Sequence, residues 1–335
     1  MKTGQYNLKS KYEHNVYAFY GELEHNFGSD FSLNTNLRQE SSEYIFSGES
    51  QGVNYYYEAE DLPDVSFKSN ILMNGYKVSL KYNLNKYTNI FASTSKGFKA
   101  GGVNQQPNLN DSSRPFGPEY IYNNEFGVKL NTPKINTTLI LFDGRRENQQ
   151  VSISSQQEEG NPNSFLFFTD NATSGKIKGF EFESDIEVFK NFMLSSSFGY
   201  LDTYINKFYY STQEGDKNTF GGGREAAMSP NTASITFEYK LKPDICITFR
   251  TNFKSQYYFS DSHNKKSESY SISNFNLSKN FGKLKLTIWG NNIFDKIFTS
   301  RGFYFGLIPP EFNEQLFKSY GDPRQIGIKT DYFFK

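Results

Sequence analysis

The sequence predicts an all-β chain folded as an antiparallel transmembrane β-barrel, and three observations predict it. The first is the closing stretch, GDPRQIGIKTDYFF at Gly321 to Phe334. Ile326, Ile328, Thr330, Tyr332 and Phe334 alternate with Gly327, Lys329, Asp331 and Phe333. A period of two is a strand signal. One side of this strand is apolar and ends in aromatics, and the other is polar or small, as in a wall between lipid and a wet lumen. The competing reading of this stretch alone is the closing strand of a soluble β-sandwich. The second observation is composition: 34 Phe and 24 Tyr bring the aromatics to 18%, yet the hydrophobic total is only 36%. Many aromatics over a low apolar total suit a wall one side chain thick around a polar interior. The third is that short turns and long polar loops alternate along the whole chain.

The elements follow in order. Val16 to Phe27 turns at Gly28-Ser29-Asp30 into Phe31 to Glu40, where Phe31, Leu33, Thr35 and Leu37 alternate with Ser32, Asn34, Asn36 and Arg38. A long loop is expected from Ser41 to about Lys68. Lys77 to Leu84 alternates cleanly and turns at Asn85-Lys86 into Asn89 to Phe98. A Gly/Asn/Pro-rich loop covers Ala100 to Pro118. Glu119 to Leu130 turns near Pro133 into Ile135 to about Ser154, a run long enough to bend or to protrude past a membrane. Lys176 to Phe189 and Phe192 to Asn206 join at Lys190-Asn191, and the loop Lys207 to Met228 follows. Asn231 to Leu241 and Ile245 to Tyr258 join at Lys242-Pro243-Asp244. Tyr270 to Lys279 turns at Phe281-Gly282 into Lys283 to Asn292. An aromatic-rich loop, Phe294 to Tyr320, leads to the last strand.

This reading gives thirteen strands, with the short and the long connections sorted to opposite ends, as in bacterial outer-membrane barrels. With up-and-down connections, strands one and thirteen run the same way. Joining them would make a parallel seam, whereas bacterial single-chain barrels are antiparallel with even strand numbers. Ser50 to Glu58 is the best candidate for a missed strand. As counted, the strands are expected to be the C-terminal portion of a larger barrel.

Other classes find little support. Lys+Arg and Asp+Glu are both 36, so the chain lacks the positive surplus of a nucleic-acid binder. No run approaches the ~18–20 apolar residues of a membrane helix. Cys246, the single cysteine, reads as an inert strand residue. Met1 to Ser10 has no apolar core of a secretory signal, although an outer-membrane protein needs export. His14, His25 and His263 are not at ligand spacing, so no metal site is expected. Neither GxSxG, HExxH nor a P-loop occurs, and the carboxylates form no acid/base pair; no enzyme is expected and no cofactor is implied. Gly221-Gly222-Gly223 reads as a loop tip, and Tyr55-Tyr56-Tyr57 and Phe165 to Phe168 as girdle or loop packing. The sequons at Asn136 and Asn171 carry no weight in a bacterial protein.

Six segments resemble a known family. They are TNIFASTSKGFKAGGVN at Thr88 to Asn104, PEYIYNNEFGVKL at Pro118 to Leu130, GKIKGFEFESDIEV at Gly175 to Val188, FMLSSSFGYLDT at Phe192 to Thr203, WGNNIFDK at Trp289 to Lys296, and the terminal GDPRQIGIKTDYFF. In this order they resemble the C-terminal part of a TonB-dependent receptor, an outer-membrane importer of siderophores, cobalamin and other scarce nutrients. The resemblance implies a complete barrel of about 22 strands around a plug. It also implies a periplasmic TonB-type energy transducer, assembly by the barrel-assembly machinery, and contact with outer-membrane lipid. Neither the plug domain nor the transducer-binding box is expected within residues 1–335. Lys335 follows Phe334, where the family usually ends on the aromatic that the assembly machinery reads.

The expected ligand is a small molecule such as a ferric siderophore. Such complexes are often anionic and bulky, so arginines with aromatics would suit them by charge and stacking. Arg145 and Arg146 on the long Ile135 strand, Arg114 in the loop Ala100 to Pro118, and Arg301 with Tyr304 in the last loop are the candidates. The bland alternative is arginines solvating a polar lumen beside an aromatic rim. Gly97, Gly101, Gly102, Asp322, Pro323 and Arg324 match the family motifs but read as architectural. The functional expectation is a receptor segment for energy-coupled uptake. Its rivals are a passive channel made by a smaller complete barrel, an outer-membrane barrel enzyme and a soluble β-rich binding module.

Overall fold

The computed structural model describes residues 4–54, 64–106, 109, 111–156, 165–171, 174–206, 209–212, 215–218, 229–260, 263–306, 308–310 and 313–334. The elements run β1 (Gly4–Phe27), β2 (Phe31–Asn54), β3 (Val65–Asn83), β4 (Thr88–Lys99), β5 (Gly102–Val103), a 3-10 turn at Asp111–Ser113, β6 (Pro115–Phe116), β7 (Glu119–Asn131), β8 (Ile135–Glu147), β9 (Gln150–Gln156) and β10 (Phe165–Asn171). They continue β11 (Ser174–Phe189), β12 (Phe192–Ile205), β13 (Tyr209–Thr212), β14 (Gly215–Asn218), β15 (Asn231–Lys242), β16 (Ile245–Lys254), β17 (Tyr270–Phe281), β18 (Leu284–Asn291), β19 (Thr299–Gly306), β20 (Glu314–Tyr320) and β21 (Gln325–Tyr332). Thirteen form one antiparallel sheet in the order β1-β2-β3-β4-β7-β8-β11-β12-β15-β16-β17-β18-β21. The other eight pair off as β5/β6, β9/β10, β13/β14 and β19/β20 within the long connections. Among the described residues β1 and β21 do not pair with each other.

Consecutive wall strands pair antiparallel, and at one edge the short turns leave alternate pairs no other partner. Gly28 (φ 68°), Asn191 (φ 68°) and Gly282 (φ 67°) take the left-handed conformation at three of these turns, where glycine and asparagine pay the least steric penalty. All the short turns lie at one edge of the sheet and the long connections at the other, as expected.

The two faces differ as the alternation requires. One carries Phe19, Leu23, Leu37, Leu72, Ile326 and Ile328, which are 61–81% exposed. That much apolar surface is unfavourable in water but not in hydrocarbon. At the short-turn edge it ends in contacting rings: Phe31 with Tyr82 (4.3 Å), Phe189 with Phe192 (4.7 Å) and Tyr332 with Phe334 (4.9 Å). This is the aromatic girdle of a membrane interface. The other face is polar. Glu125 accepts hydrogen bonds from Ser93 (3.0 Å) and Asn123 (2.9 Å), and Lys77 stands 3.7 Å away; Asn34 donates to Glu22 (2.5 Å).

Aromatics also occupy the polar face, each lying across a glycine of the adjacent strand. A Cβ on Gly127 would meet the Phe91 ring at 2.3 Å, one on Gly179 the Phe142 ring at 2.8 Å, and one on Gly327 the Trp289 ring at 2.5 Å. The missing side chain leaves room for a ring to lie flat, shielding backbone and filling the wall.

Several boundaries depart from expectation. Ser41 to Lys68 is not a loop: β2 continues to Asn54 and β3 begins at Val65, paired from Gly48↔Val65 to Phe31↔Tyr82. β1 begins at Gly4 rather than Val16. Above the hydrocarbon both faces of a strand are wet, so the apolar alternation disappears while the backbone ladder continues. The 24 residues of β1 far exceed the ~9–11 needed to cross a membrane. Ser50 to Glu58 is not a separate strand in its described part, because residues 50–54 close β2. The Ile135 run breaks at Asn148 (φ 52°), which separates β8 from β9. Tyr55-Tyr56-Tyr57, Gly221-Gly222-Gly223 and Lys335 lie outside the described residues.

Trp289 is the chain's single tryptophan and lies against Gly327. Gly327→Ala should therefore shift its fluorescence emission and lower stability by about 1–3 kcal/mol. Urea titration of the vesicle-inserted barrel measures both; unchanged emission would mean that the ring is not seated there.

Candidate functional site

The described parts of two long connections are tied together by hydrogen bonds. Glu119, at the start of β7, accepts hydrogen bonds from Arg146 Nε (2.8 Å), Arg146 NH2 (2.6 Å) and the backbone N–H of Gln150 (2.9 Å). One carboxylate thus ties β7, β8 and β9 together. The Gln150 side chain donates to the carbonyls of Ala100 (2.8 Å) and Gly117 (3.1 Å). Asn104 donates to the carbonyls of Ser113 (3.0 Å) and Thr169 (2.8 Å) and accepts from the Thr169 N–H (2.8 Å). Asn171 accepts from the Gly117 N–H (2.6 Å) and donates to the carbonyls of Gly117 (3.1 Å) and Asn148 (2.7 Å). Beneath these amides Leu109, Val151, Ile153, Phe168 and Ile205 form a small apolar core. The described parts of two long connections, within 100–118 and 148–171, are therefore one knitted unit.

This unit folds over the polar face. A Cβ on Gly101 would come within 3.1 Å of Ile71 on β3 and 2.4 Å of the Phe116 carbonyl, so only glycine allows the approach. Tyr44, Phe46 and Met73, on the polar face of β2 and β3, are buried to 2% exposure or less. His14 stacks on Tyr44 at 4.4 Å. Between β1 and the knitted unit lies a cavity of about 420 Å³, lined among others by Tyr12, Lys99, Gln105, Phe116, Gln150 and Ser152. A larger concavity of about 750 Å³ lies further down the polar face, with Glu22, Asn36, Arg38, Glu40 and Lys77 in its lining. Arg38 is ion-paired with Glu40. A lysine, several amides and two aromatic rings around the smaller cavity can hold a polar, ring-bearing molecule.

The five residues singled out from the sequence do not converge. Arg114 is 4% exposed, with Nε donating to Asp111 (3.0 Å) and NH1 to the Gln106 carbonyl (2.7 Å), so it braces its own loop. Arg146 points to the polar face and grips Glu119. Arg145, its neighbour, points to the opposite face, paired with Glu147 (2.8 Å) and 5.0 Å from the Tyr122 ring. Arg301 is exposed on β19. Tyr304 is half-buried on the same strand, with Lys265 Nζ 4.4 Å from its ring and His263 at 5.5 Å. Sequence reasoning missed Glu119, Asn104, Gln150 and Lys99. Asn104 reads as a turn residue and Lys99 as a strand end; only the fold reveals the partners of the first and the cavity beside the second. Among the described residues no group of His, Cys, Asp or Glu is arranged to hold a metal ion.

Removing the Glu119 carboxylate takes one partner from the part-buried Arg146 guanidinium and the acceptor from the Gln150 N–H. Glu119→Ala should cost the knitted unit about 2 kcal/mol. Hydrogen exchange of residues 100–118 should accelerate while the lower halves of β7 and β8 stay protected; equal protection throughout would remove Glu119 from this role.

Comparison with known proteins agrees with this architecture. Residues 2–293 match the family described as "TonB dependent receptor-like, beta-barrel". The chain is 23% identical over 227 residues to a probable TonB-dependent siderophore receptor, PiuA, of Acinetobacter baumannii, covering 65% of this chain and 29% of that protein. Among solved structures it resembles the ferric yersiniabactin uptake receptor FyuA of Yersinia pestis, with a TM-score of 0.79, 14% identity, and coverage of 98% of this chain and 47% of that one. It also resembles the siderophore receptor PiuA of Acinetobacter baumannii, with a TM-score of 0.70, 17% identity, and coverage of 95% and 43%. At these identities the structural likeness speaks for the fold alone. The chain spans less than half the length of these relatives. No described helix is long and apolar enough to cross a membrane, and the crossing is made by strands. With its family model covering most of its length, the chain belongs to the TonB-dependent receptor β-barrel family, a family of outer-membrane transport receptors.

Proposed function

We propose that the chain forms the C-terminal wall and part of the mouth of a receptor for energy-coupled uptake of a scarce ligand, a ferric siderophore. The observation that carries this reading is the knitted unit over the polar face, which holds a cavity of about 420 Å³ where the lumen opens to the exterior. That volume is of ligand size. By name, PiuA is a siderophore receptor and FyuA a ferric yersiniabactin uptake receptor. In this reading the long connections capture the ligand and the lumen passes it. A plug, moved by a periplasmic TonB-type transducer, opens the way. The five residues Arg114, Arg145, Arg146, Arg301 and Tyr304 divide accordingly: Arg301 and Tyr304 remain the best placed to touch ligand, Arg114 and Arg146 hold the mouth in shape, and Arg145 faces away from the lumen. No catalytic step is assigned to the chain.

The direction of the strands supports the larger barrel. All neighbouring wall strands are antiparallel, so the first and thirteenth point the same way. An antiparallel ring therefore needs an odd number of further strands, which we assign, with the plug, to an upstream segment. Insertion would depend on the barrel-assembly machinery and on outer-membrane lipid. The second reading, a passive channel, would require β1 and β21 to seal together.

The test is uptake of radioactive iron bound to catecholate, hydroxamate and phenolate siderophores, by iron-starved cells with and without the gene. Uptake of one class should fall to background when the gene is deleted, and equally when the transducer is deleted. Uptake that survives loss of the transducer would identify a channel; no loss for any class would remove the siderophore assignment.

A further inference from the structure

The lipid-facing side of the sheet changes character towards the long-connection edge of β4, β7, β8 and β11. Register sets Lys96 opposite Tyr122, Tyr122 opposite Arg145, and Arg145 opposite Lys176. These positions are in phase with Ala92, Phe126, Leu141 and Phe180, the apolar row lower on the same strands. All four therefore point away from the lumen, and Lys178 stands one row below Lys176. Lys96 Nζ lies 4.6 Å from the Tyr120 ring centre and 5.8 Å from that of Tyr122, and the Arg145 guanidinium lies 5.0 Å from Tyr122.

Their height is set by the strands. Lys96 is eight positions beyond Thr88, where β4 leaves its short turn, and Arg145 is ten beyond Ile135 on β8. At about 3.4 Å per residue and a tilt of about 40°, both stand roughly 20–26 Å above the short-turn edge. The apolar band of such a barrel is about 25 Å tall. The cations thus sit where hydrocarbon gives way to headgroups on the exterior side. Three carboxylates share this face: Asp143 opposite Lys178, Glu147 paired with Arg145 (2.8 Å), and Asp202 paired with Lys178 (3.3 Å). Lys96 and Lys176 have no carboxylate partner among the described residues, so the surplus positive charge lies with them.

We propose that this outward row of lysine, arginine and tyrosine docks phosphate-bearing lipid headgroups of the exterior leaflet. It is continuous with the lipid-facing belt. Its tyrosines are suited to the interface, and its ammonium groups, of which that of Lys96 donates to the Asn74 amide oxygen (2.5 Å) but neither meets a carboxylate among the described residues, are suited to phosphate. Arg145, already paired with Glu147, faces away from any lumenal ligand and lies within this row. The assignment rests on the outer-membrane location and is independent of which ligand the receptor carries.

The test uses the detergent-solubilised receptor from its complete reading frame, with phosphatidylglycerol or phosphatidylcholine added and the bound lipid followed by native mass spectrometry. Phosphatidylglycerol should bind in preference, and Lys96→Gln/Lys176→Gln should bind it roughly thirtyfold more weakly, as two near-surface lysines predict. The lumenal pair Lys240→Gln/Lys254→Gln, which removes the same charge, should leave binding unchanged, and Lys96→Arg/Lys176→Arg should restore it. Should the Gln variant fail to fold, wild-type binding at high salt serves in its place: the preference for phosphatidylglycerol should then collapse. Equal binding by wild type and the Gln variant, equal loss in the lumenal pair, a preference untouched by salt, or complete displacement of lipid by inorganic phosphate would each overturn the proposal.

Discussion

Hydrocarbon offers no partner to a backbone N–H or C=O, and this one constraint organises the molecule. Every residue crossing the membrane must be paired with a neighbouring strand, so the wall is a continuous antiparallel ladder from β1 to β21. The ladder puts alternate side chains on opposite faces, one meeting lipid and the other water. Everything else is arranged on that two-sided surface: aromatics where the lipid ends, charges where water begins, and folded connections at the exterior edge.

The polar face is more than a solvated lining. Its glycines seat aromatic rings from the next strand, as Gly327 seats Trp289 and Gly127 seats Phe91. These rings cover backbone that would otherwise face open water and stiffen the wall without a second layer. High in the lumen Tyr44, Phe46 and Met73 are buried beneath the segment that includes Gly101. The mouth is therefore held both by an apolar base and by the amide network of Asn104, Gln150 and Asn171. A network in which each amide bonds two different segments has few alternative arrangements of comparable energy.

The arginines illustrate how one residue type serves different ends within a few ångströms. Arg145 and Arg146 are consecutive, yet β-alternation sends them to opposite faces. Arg146 meets Glu119 inside the mouth, and Arg145 meets Tyr122 and Glu147 outside it. Arg114 is a brace for its own loop. Charge and residue type do not distinguish these roles; the parity of the position and the path of the loop do.

The sequence by itself determined the fold class, the thirteen wall strands, which residues of β21 face lipid, and the side on which the long connections lie. These rest on period-two patterning and turn chemistry, which are local properties legible within a few residues. It did not determine where β1 and β2 end beyond the membrane, because water on both faces removes the pattern while the ladder persists. Nor did it determine the mouth. Asn104 with Thr169 and Glu119 with Arg146 are separated by 65 and 27 positions, and their meeting depends on how the connections fold back over the sheet. Only the tertiary structure brings such distant polar groups within bonding range, since no periodicity couples them along the chain.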